Sequence, residues 1–265
     1  MAASNDVPDG FEEHLRQRQT LQSHLETVPS SSVTQPHGNI PNTPLAASTI
    51  SFLLGSIFSL AFATFLSGGL VSSWWSTYQL GFFVAAWAAF HWGEFAVTAG
   101  WNREKCSVDS FLLDNGALYH AANSLALFEY LLSLYLRPSL KSHPYISAIG
   151  VTMVVFGQAL RSIAMIQAST NFSHSLAFRK LARHQLVTDG IYAWFRHPSY
   201  AGFFYWALGT QLVLQNPITF MAFSAILWRF FSQRIRVEEK TLINFFGDAY
   251  VEYRKRVGTK IPFIS

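Results

Sequence analysis

The sequence predicts an all-α, polytopic integral membrane protein with about six membrane helices, the last two forming a C-terminal helical hairpin. Three observations predict this. The chain of 265 residues is 50% hydrophobic and 16% aromatic, and only 13% of it is charged. Soluble domains usually carry about 25% charged residues. Long uncharged apolar segments recur along it, each near the length that crosses a bilayer as a helix. Most Lys and Arg follow Arg179 and flank apolar segments, as the positive-inside rule describes for cytosolic loops. That placement fits nucleic-acid binding poorly, despite the formal charge of +4. The single cysteine, Cys106, excludes an intrachain disulfide and a thiolate metal cluster. The N-terminus is acidic and polar, so no cleavable signal peptide is expected and the first span serves as the insertion signal.

Residues 1–45 read as a cytosolic tail, polar and Pro-rich, which cannot bury enough apolar surface to offset ordering entropy. A short helix is expected within it over Glu12 to Leu25. Ile50 to Val71 is the first span, ended by Gly68-Gly69, with Trp74-Trp75 as interfacial aromatics. Leu80 to Gly100 is the second and carries His91 and Glu94. Trp101 to Asp109 is a polar loop. Leu113 to Leu136 is the third span, with Glu129 inside it, and Arg137 to His143 is a short loop. Tyr145 to Gln167 is the fourth span, with Arg161 near its end. Ser199 to Trp228 is apolar and uncharged but broken by Asn216-Pro217, a turn signal, which makes it a hairpin of two short helices. Beyond Trp228 the chain is amphipathic and basic to its end.

With six spans both termini share a side. The loops after the second and fourth spans then lie with the C-terminal segment and hold Arg103, Lys105, Arg179, Lys180, Arg183 and Arg196. The opposite side holds Arg137 and Lys141. The positive-inside rule makes the first side cytosolic. Asn171-Phe172-Ser173 matches the glycosylation pattern but faces the cytosol on this topology.

The stretch from His184 to Tyr200 is the chemical centre of the chain. It concentrates two His, an Arg, an Asp, two Tyr and a Pro between apolar segments. A plain connection between two helices needs none of these, and loops at the membrane face can hold binding groups without burying unpaired backbone. The other half of a ligand site is expected around Arg234 and Glu238, four residues apart and so on one helical face. Their bland reading is a surface ion pair with each other. Ionisable groups inside spans are costly, by roughly 2.5–3.5 kcal/mol, and are functional candidates. Arg161 reads as functional because it sits beside the polar stretch. His91, Glu94 and Glu129 admit both a functional role and plain pairing between helices. His184 and His197 lack the spacing and carboxylate companion of a metal site, so no metal is expected. Val251 to Arg256 reads as an interfacial basic segment, with Tyr250 and Tyr253 near headgroups.

His184-Gln-Leu-Val-Thr-Asp-Gly-Ile-Tyr192 and Arg196-His-Pro-Ser-Tyr-Ala-Gly202 resemble the cofactor segment of the isoprenylcysteine carboxyl methyltransferases. Further pieces resemble the same family: Phe111-Leu-Leu-Asp-Asn-Gly116, Gly209-Thr-Gln-Leu-Val-Leu-Gln-Asn-Pro217, Arg234-Ile-Arg-Val-Glu-Glu-Lys240, Phe245-Phe-Gly-Asp-Ala-Tyr250, and Tyr253-Arg254 through Ile261-Pro-Phe-Ile264. Arg-His-Pro-x-Tyr by itself is shared with other membrane methyltransferases and some membrane reductases; the ordered set is specific.

The resemblance implies an endoplasmic-reticulum enzyme. It would move a methyl group from S-adenosylmethionine to the C-terminal carboxylate of prenylated cysteine in CaaX-processed proteins such as small GTPases. Residues 46–265 would form one methyltransferase domain, with its cofactor region at 169–200 and 229–264. Cofactor contacts would fall on His184, Gln185, Leu186, Val187, Tyr192, His197, Pro198, Ser199, Tyr200 and Glu238. A further contact would fall on Ala177, where only backbone can serve. Arg234 would engage the substrate carboxylate as substrate-binding and catalytic residue, with Arg161 as the second catalytic candidate. A lipid-amine methyltransferase, an NADPH-dependent sterol reductase and a transporter are the competing readings. The carboxylate nucleophile is already ionised at neutral pH, with a reference pKa of about 3.3–3.7, so no general base is required. The residues must instead supply position and a dry site. Aromatic faces such as Tyr192 and Tyr200 suit a cationic sulfonium.

Overall fold

A computed structural model describes residues 40–70, 73–174 and 185–264. The helix expected over Glu12 to Leu25, and the candidates Ala177 and His184, lie outside the described residues. Among the described residues the protein is helical: α1 Pro44–Leu66, α2 Tyr78–Trp101, α3 Ala117–Leu136, α4 Pro144–Ala168, α5 Pro198–Val213, α6 Pro217–Phe246 and α7 Asp248–Arg256. Short 3-10 turns fill several of the connections.

Local chemistry sets the helix starts. Thr43 and Thr77 cap α1 and α2 through their hydroxyls, which accept from Ala46 N and Leu80 N at 3.2 Å. Proline opens α1, α4, α5 and α6, where its missing N–H costs nothing and its fixed φ suits a helix. The third helix begins later than its apolar run suggested. Leu113 stays outside it, because a 3-10 turn at Val108–Phe111, Leu112 at φ 53° and Gly116 at φ 81° delay the start to Ala117. The second hairpin helix, α6, does not end at Trp228 but runs on to Phe246, so the membrane helix and the first part of the basic segment are one rod.

Among the described residues three helices are long and apolar enough to cross a membrane: Pro44–Leu66, Tyr78–Trp101 and Pro144–Asn171. The protein is therefore a multi-pass membrane protein. The other helices are less plain as spans. Helix α3 carries His120, Asn123 and Glu129, α5 has 16 residues, and the C-terminal half of α6 is charged.

Helices α4 and α5 meet backbone to backbone. A Cβ on Gly157 would lie 2.6 Å from the Gly202 carbonyl oxygen and 2.6 Å from Trp206 N. One on Gly150 would lie 2.7 Å from the Gly209 oxygen, two turns further along. Inside a bilayer, helices gain little from burying apolar surface on each other, so small residues that permit close van der Waals contact hold them together. Beside this seam lies a core of Leu160, Ala201, Phe204, Leu208, Phe231, Ile235 and Ile261, which joins α4, α5, α6 and the C-terminal tail.

The turn between α5 and α6 is plugged by two ionic side chains from elsewhere. Lys141 is buried, not a free loop cation as the sequence suggested. Its Nζ donates to the carbonyls of Leu214 at 3.0 Å and Gln215 at 2.9 Å, and to Asn216 Oδ1 at 2.8 Å. Glu129 accepts from Ile218 N at 2.9 Å and Thr219 N at 2.7 Å. A cation thus sits on the C-terminal carbonyls of α5 and an anion on the first N–H groups of α6, each where the helix dipole favours it. This decides the open question about Glu129 in favour of a structural pairing. His91 is also spoken for: its ring nitrogens meet the Phe111 carbonyl at 2.7 Å and the Tyr119 hydroxyl at 2.8 Å, which ties α2 to the turn before α3.

The glycine seam has a direct test. Gly157→Ala should lower stability by roughly 1–3 kcal/mol, the usual cost of overpacking. Gly55, on α1, has nothing within 4 Å of an added Cβ. Gly55→Ala should be neutral or mildly stabilising. Thermal denaturation of both variants in detergent checks this, and equal midpoints would refute the close-contact account.

Candidate functional site

The polar stretch is held down at several points before it reaches α5. Gln185 N donates to Asn171 Oδ1 at 2.9 Å, and Ile191 N donates to Gln167 Oε1 at 2.7 Å. Gly190 has φ 55°, and a Cβ there would meet the Gln167 side chain at 2.5 Å, so this turn needs glycine. The Tyr192 hydroxyl donates to the Ala164 carbonyl at 3.2 Å. Tyr253, from α7, donates its hydroxyl to the Tyr192 carbonyl at 2.6 Å.

Arg196 and Glu239 form the strongest anchor. Arg196 Nε donates to Glu239 Oε1 at 2.5 Å, and Nη1 donates to the Val257 carbonyl at 2.6 Å. His197 Nε2 is 3.2 Å from the same Glu239 oxygen, and Arg254 Nε is 3.3 Å from the other. Burial by itself would raise the Glu239 carboxyl. The His197 hydrogen bond and the Arg196 charge outweigh it and hold the group below the usual carboxylate range. The loop, α6 and the chain after α7 therefore converge on one buried carboxylate.

A second knot lies beside it. The Tyr200 hydroxyl donates to Glu238 Oε2 at 2.5 Å and accepts from Arg234 Nε at 2.9 Å. Arg234 Nη2 also donates to the His174 carbonyl at 2.5 Å. Arg234 and Glu238 are thus neighbours that share the Tyr200 hydroxyl, which the simple ion-pair reading did not foresee. The Tyr200 ring is crowded by His197, stacked at 5.5 Å between centroids, by Phe231 at 5.3 Å and by the Arg234 guanidinium at 5.4 Å.

Arg161 is committed on every side. Its Nε and Nη2 donate to the two Glu94 oxygens at 2.5 and 2.7 Å, and its Nη1 donates to Ser199 Oγ at 2.9 Å. The rings of Phe90 and Phe203 each lie 5.6 Å from its guanidinium carbon. Glu94, buried and bidentate, is the partner of Arg161.

These knots border a cleft of about 140 Å³ at the end of the bundle. Of the residues expected to hold a cofactor, Gln185, Leu186, Val187, Tyr192, His197, Pro198, Ser199, Tyr200 and Glu238 all line it. Arg234 and Arg161 do not line it but stand behind Tyr200 and Ser199. The cleft also uses residues that sequence reasoning missed: Asn171, Phe172, Leu242, Phe246, Tyr250 and Tyr253. Tyr250 and Tyr253 are buried, 1% and 2% exposed, so their expected place among headgroups is corrected. Their spacing was a signal. Leu242 and Phe246 are four apart on α6, and Tyr250 and Tyr253 three apart on α7, so each pair shares one helical face on either side of the break at Gly247. Glu239 was overlooked beside Glu238, which faces the cleft more openly.

Two buried polar groups on this cleft have no hydrogen-bond partner among the described residues: Arg196 Nη2 and the Tyr250 hydroxyl. Buried polar atoms are seldom left so, and a polar ligand in the cleft would satisfy them. Among the described residues no group of His, Cys, Asp and Glu is arranged to hold a metal ion.

Glu239→Gln tests the anchor. Removing one partner of a buried ionic cluster costs about 3–5 kcal/mol, so the variant should melt well below the parent near neutral pH. The sign with pH follows from the lowered carboxyl. Its stabilisation is complete above the unfolded value of about 4.3 and is lost as pH falls through the lower folded value. The parent should therefore lose more stability than Glu239→Gln on acidification below pH of about 4.3. Parallel melting-temperature curves against pH would rule this out.

Known proteins resemble this chain in sequence and in fold. The family model described as the isoprenylcysteine carboxyl methyltransferase (ICMT) family matches residues 149–244. The protein-S-isoprenylcysteine O-methyltransferase of Saccharomyces cerevisiae is 49% identical over 181 residues, covering 66% of this chain and 76% of the relative. Those of Homo sapiens and Xenopus laevis are 47% and 46% identical over 176 residues, again covering 66% of this chain. The matches span 62% and 61% of those two relatives' lengths. The solved structure of the eukaryotic intramembrane Ras methyltransferase ICMT, without a monobody, superposes with a TM-score of 0.74 at 35% identity. It covers 83% of this chain and 82% of that one. On the match to the yeast relative and to this membrane fold, the chain belongs to the isoprenylcysteine carboxyl methyltransferase family.

Proposed function

We propose that the protein transfers a methyl group from S-adenosylmethionine to the C-terminal carboxylate of a prenylated cysteine, giving a methyl ester. The observation that carries this reading is the Tyr200 hydroxyl, shared between Arg234 and Glu238 at the edge of the cleft. It sets a carboxylate-binding cation beside a wall suited to a polar, cationic cosubstrate. The unpartnered Arg196 Nη2 and Tyr250 hydroxyl support a polar occupant of the cleft.

S-adenosylmethionine, when bound, supplies an electrophilic methyl group on a sulfonium. Gln185, Leu186, Val187, Tyr192, His197, Pro198, Ser199 and Glu238 are the residues that would hold it, with His184 and Ala177 as further contacts implied by the family resemblance. Glu238 accepts from amino or hydroxyl donors. Because the Tyr200 ring is enclosed, the aromatic face for the sulfonium falls to Tyr192, and Tyr200 works through its hydroxyl. Arg234 orients the substrate carboxylate by charge-assisted hydrogen bonds without needing to deprotonate it. Arg161 acts behind it: with both Glu94 oxygens and Ser199 engaged, it braces the start of α5 and is a positioning residue.

In this reading residues 46–265 form one membrane-embedded domain of about six spans. The hairpin α5–α6 supplies two of them, and the termini and the cleft are cytosolic in the endoplasmic-reticulum membrane. The lysine- and arginine-rich connections support that sidedness. Prenylated CaaX proteins, small GTPases among them, are the substrate class, and the prenyl chain enters laterally from the bilayer.

Radiolabelled methyl transfer to a farnesylated cysteine analogue, using membranes that contain the protein, tests the activity itself; absence of labelled ester would overturn it. The roles of the knot separate by variant. Arg234→Ala should keep cofactor affinity and lose transfer by about 100-fold, since the nucleophile is no longer aimed. Arg234→Lys should recover part, because an ammonium lacks the planar fork. Glu238→Ala should weaken cofactor binding by calorimetry. Tyr200→Phe should impair both, because its hydroxyl touches both side chains. Normal cofactor affinity in Glu238→Ala, or near-parental transfer in Arg234→Ala, would remove the assignment.

A further inference from the structure

Helix α6 works on both of its faces, and the proposed function uses only one. Phe231, Ile235 and Glu239 are buried inward, and Glu238, Leu242 and Phe246 line the cleft. On the opposite side Arg229, Gln233, Arg236, Lys240 and Asn244 form a continuous exposed stripe. Their spacings of four, three, four and four residues keep them within one narrow band of the helix.

Arg229, Arg236 and Lys240 have no carboxylate partner among the described residues. The two glutamates of this segment, Glu238 and Glu239, both turn inward to Tyr200 and to Arg196. Arg236 and Lys240 are like charges at i and i+4, an arrangement that disfavours a helix unless an anion lies between them. An exposed soluble helix usually alternates its charges, and this one does not.

The stripe is also at the right height. Helix α6 rises about 1.5 Å per residue from Pro217, which puts Arg236 about 29 Å from the hairpin turn, near the thickness of a hydrocarbon core. Lys240 lies one turn higher, and Arg229 about 10 Å lower, a depth from which a long cationic side chain can snorkel to the surface. Exposed apolar side chains flank the band on the same rod: Trp228, Phe230 and Val237 are 41%, 50% and 43% exposed. A cationic band bordered by apolar side chains at the membrane surface has the chemistry of a headgroup site.

We propose that Arg229, Arg236 and Lys240 bind anionic phospholipid headgroups of the leaflet that carries the cleft. The bound lipid neutralises the repulsion along the stripe and holds the rod that bears Arg234 and Glu238 on its other face. A juxtamembrane cation gains about fivefold in affinity for an anionic surface. The three together give a strong preference over zwitterionic lipid that fades with salt as the charges are screened.

The full-length protein, in nanodiscs of phosphatidylcholine mixed with phosphatidylserine, provides the test. Lipid that stays with the protein after detergent extraction is counted by mass spectrometry. The parent should retain phosphatidylserine several-fold above its bulk fraction, and raising the salt should reduce that excess. The triple variant R229Q/R236Q/K240Q should show no excess, and R229K/R236K, which keeps the charge, should retain it. Cofactor affinity of the same preparations reports that the inward face remains folded. If the triple variant does not fold, the single Lys240→Gln must still lower the excess. An equal phosphatidylserine excess in parent and variants would overturn the proposal. So would parent protein that shows no lipid preference but binds a soluble polyglutamate peptide, which would make the stripe a protein-docking surface. Because the readout is lipid composition, it stands or falls separately from methyl transfer.

Discussion

Two glycine pairs bring α4 and α5 together backbone to backbone, and the rest of the site inherits its geometry from that contact. Gly157 against Gly202 sets the start of α5 beside Arg161, whose Nη1 then reaches Ser199 at 2.9 Å. Larger residues there would push α5 outward and carry Ser199 and Tyr200 with it. In lipid no hydrophobic force would restore the contact, because the tails solvate an exposed leucine as well as a helix does. Close packing at glycine therefore stands in for the apolar collapse that would organise a water-soluble core.

Charge is then spent at the ends of the helices, where it can be paired. Glu129 and Lys141 neutralise the two helix ends at the buried turn between α5 and α6. Glu94 and Arg161 brace the cleft end from inside the bundle. Glu239 gathers Arg196, His197 and Arg254 around a single carboxylate. Burying a lone ion costs several kcal/mol, whereas a paired and hydrogen-bonded one is tolerated. Each of these clusters joins segments far apart in sequence, so each closes a loop that the bilayer itself would leave open.

The cleft follows from these constraints. The Tyr200 hydroxyl couples Arg234 to Glu238 at its edge, which suits the geometric tasks of the proposed reaction, since a carboxylate nucleophile would need no base. The knot explains why two ions four residues apart on one helix do not simply neutralise each other. Each is turned to its own neighbour through a shared hydroxyl from α5.

Much of this was legible in the residues. The apolar runs, the Asn216-Pro217 break and the density of His, Tyr and Pro before α5 place the helices, the hairpin and one wall of the cleft, because each depends on local composition and turn chemistry. The resemblance carried by those motifs placed the family. What the sequence could not decide is which ion meets which. Glu94, Glu129 and Lys141 look alike as isolated charges in or beside spans; the fold makes one a brace and the other two caps, since pairing depends on distances across helices. Tyr250 and Tyr253 read as interfacial residues because a basic amphipathic run usually lies at headgroups, yet the reversal after Phe246 turns them inward onto the cleft. The long α6 rod was hidden for a related reason: hydropathy changes at Trp228, but helical hydrogen bonding does not. Sequence by itself determined the membrane class and the local chemistry, because these are properties of neighbouring residues; tertiary structure decided the ion pairs, the second wall of the cleft and which face of α6 is buried, because these exist only once distant helices touch.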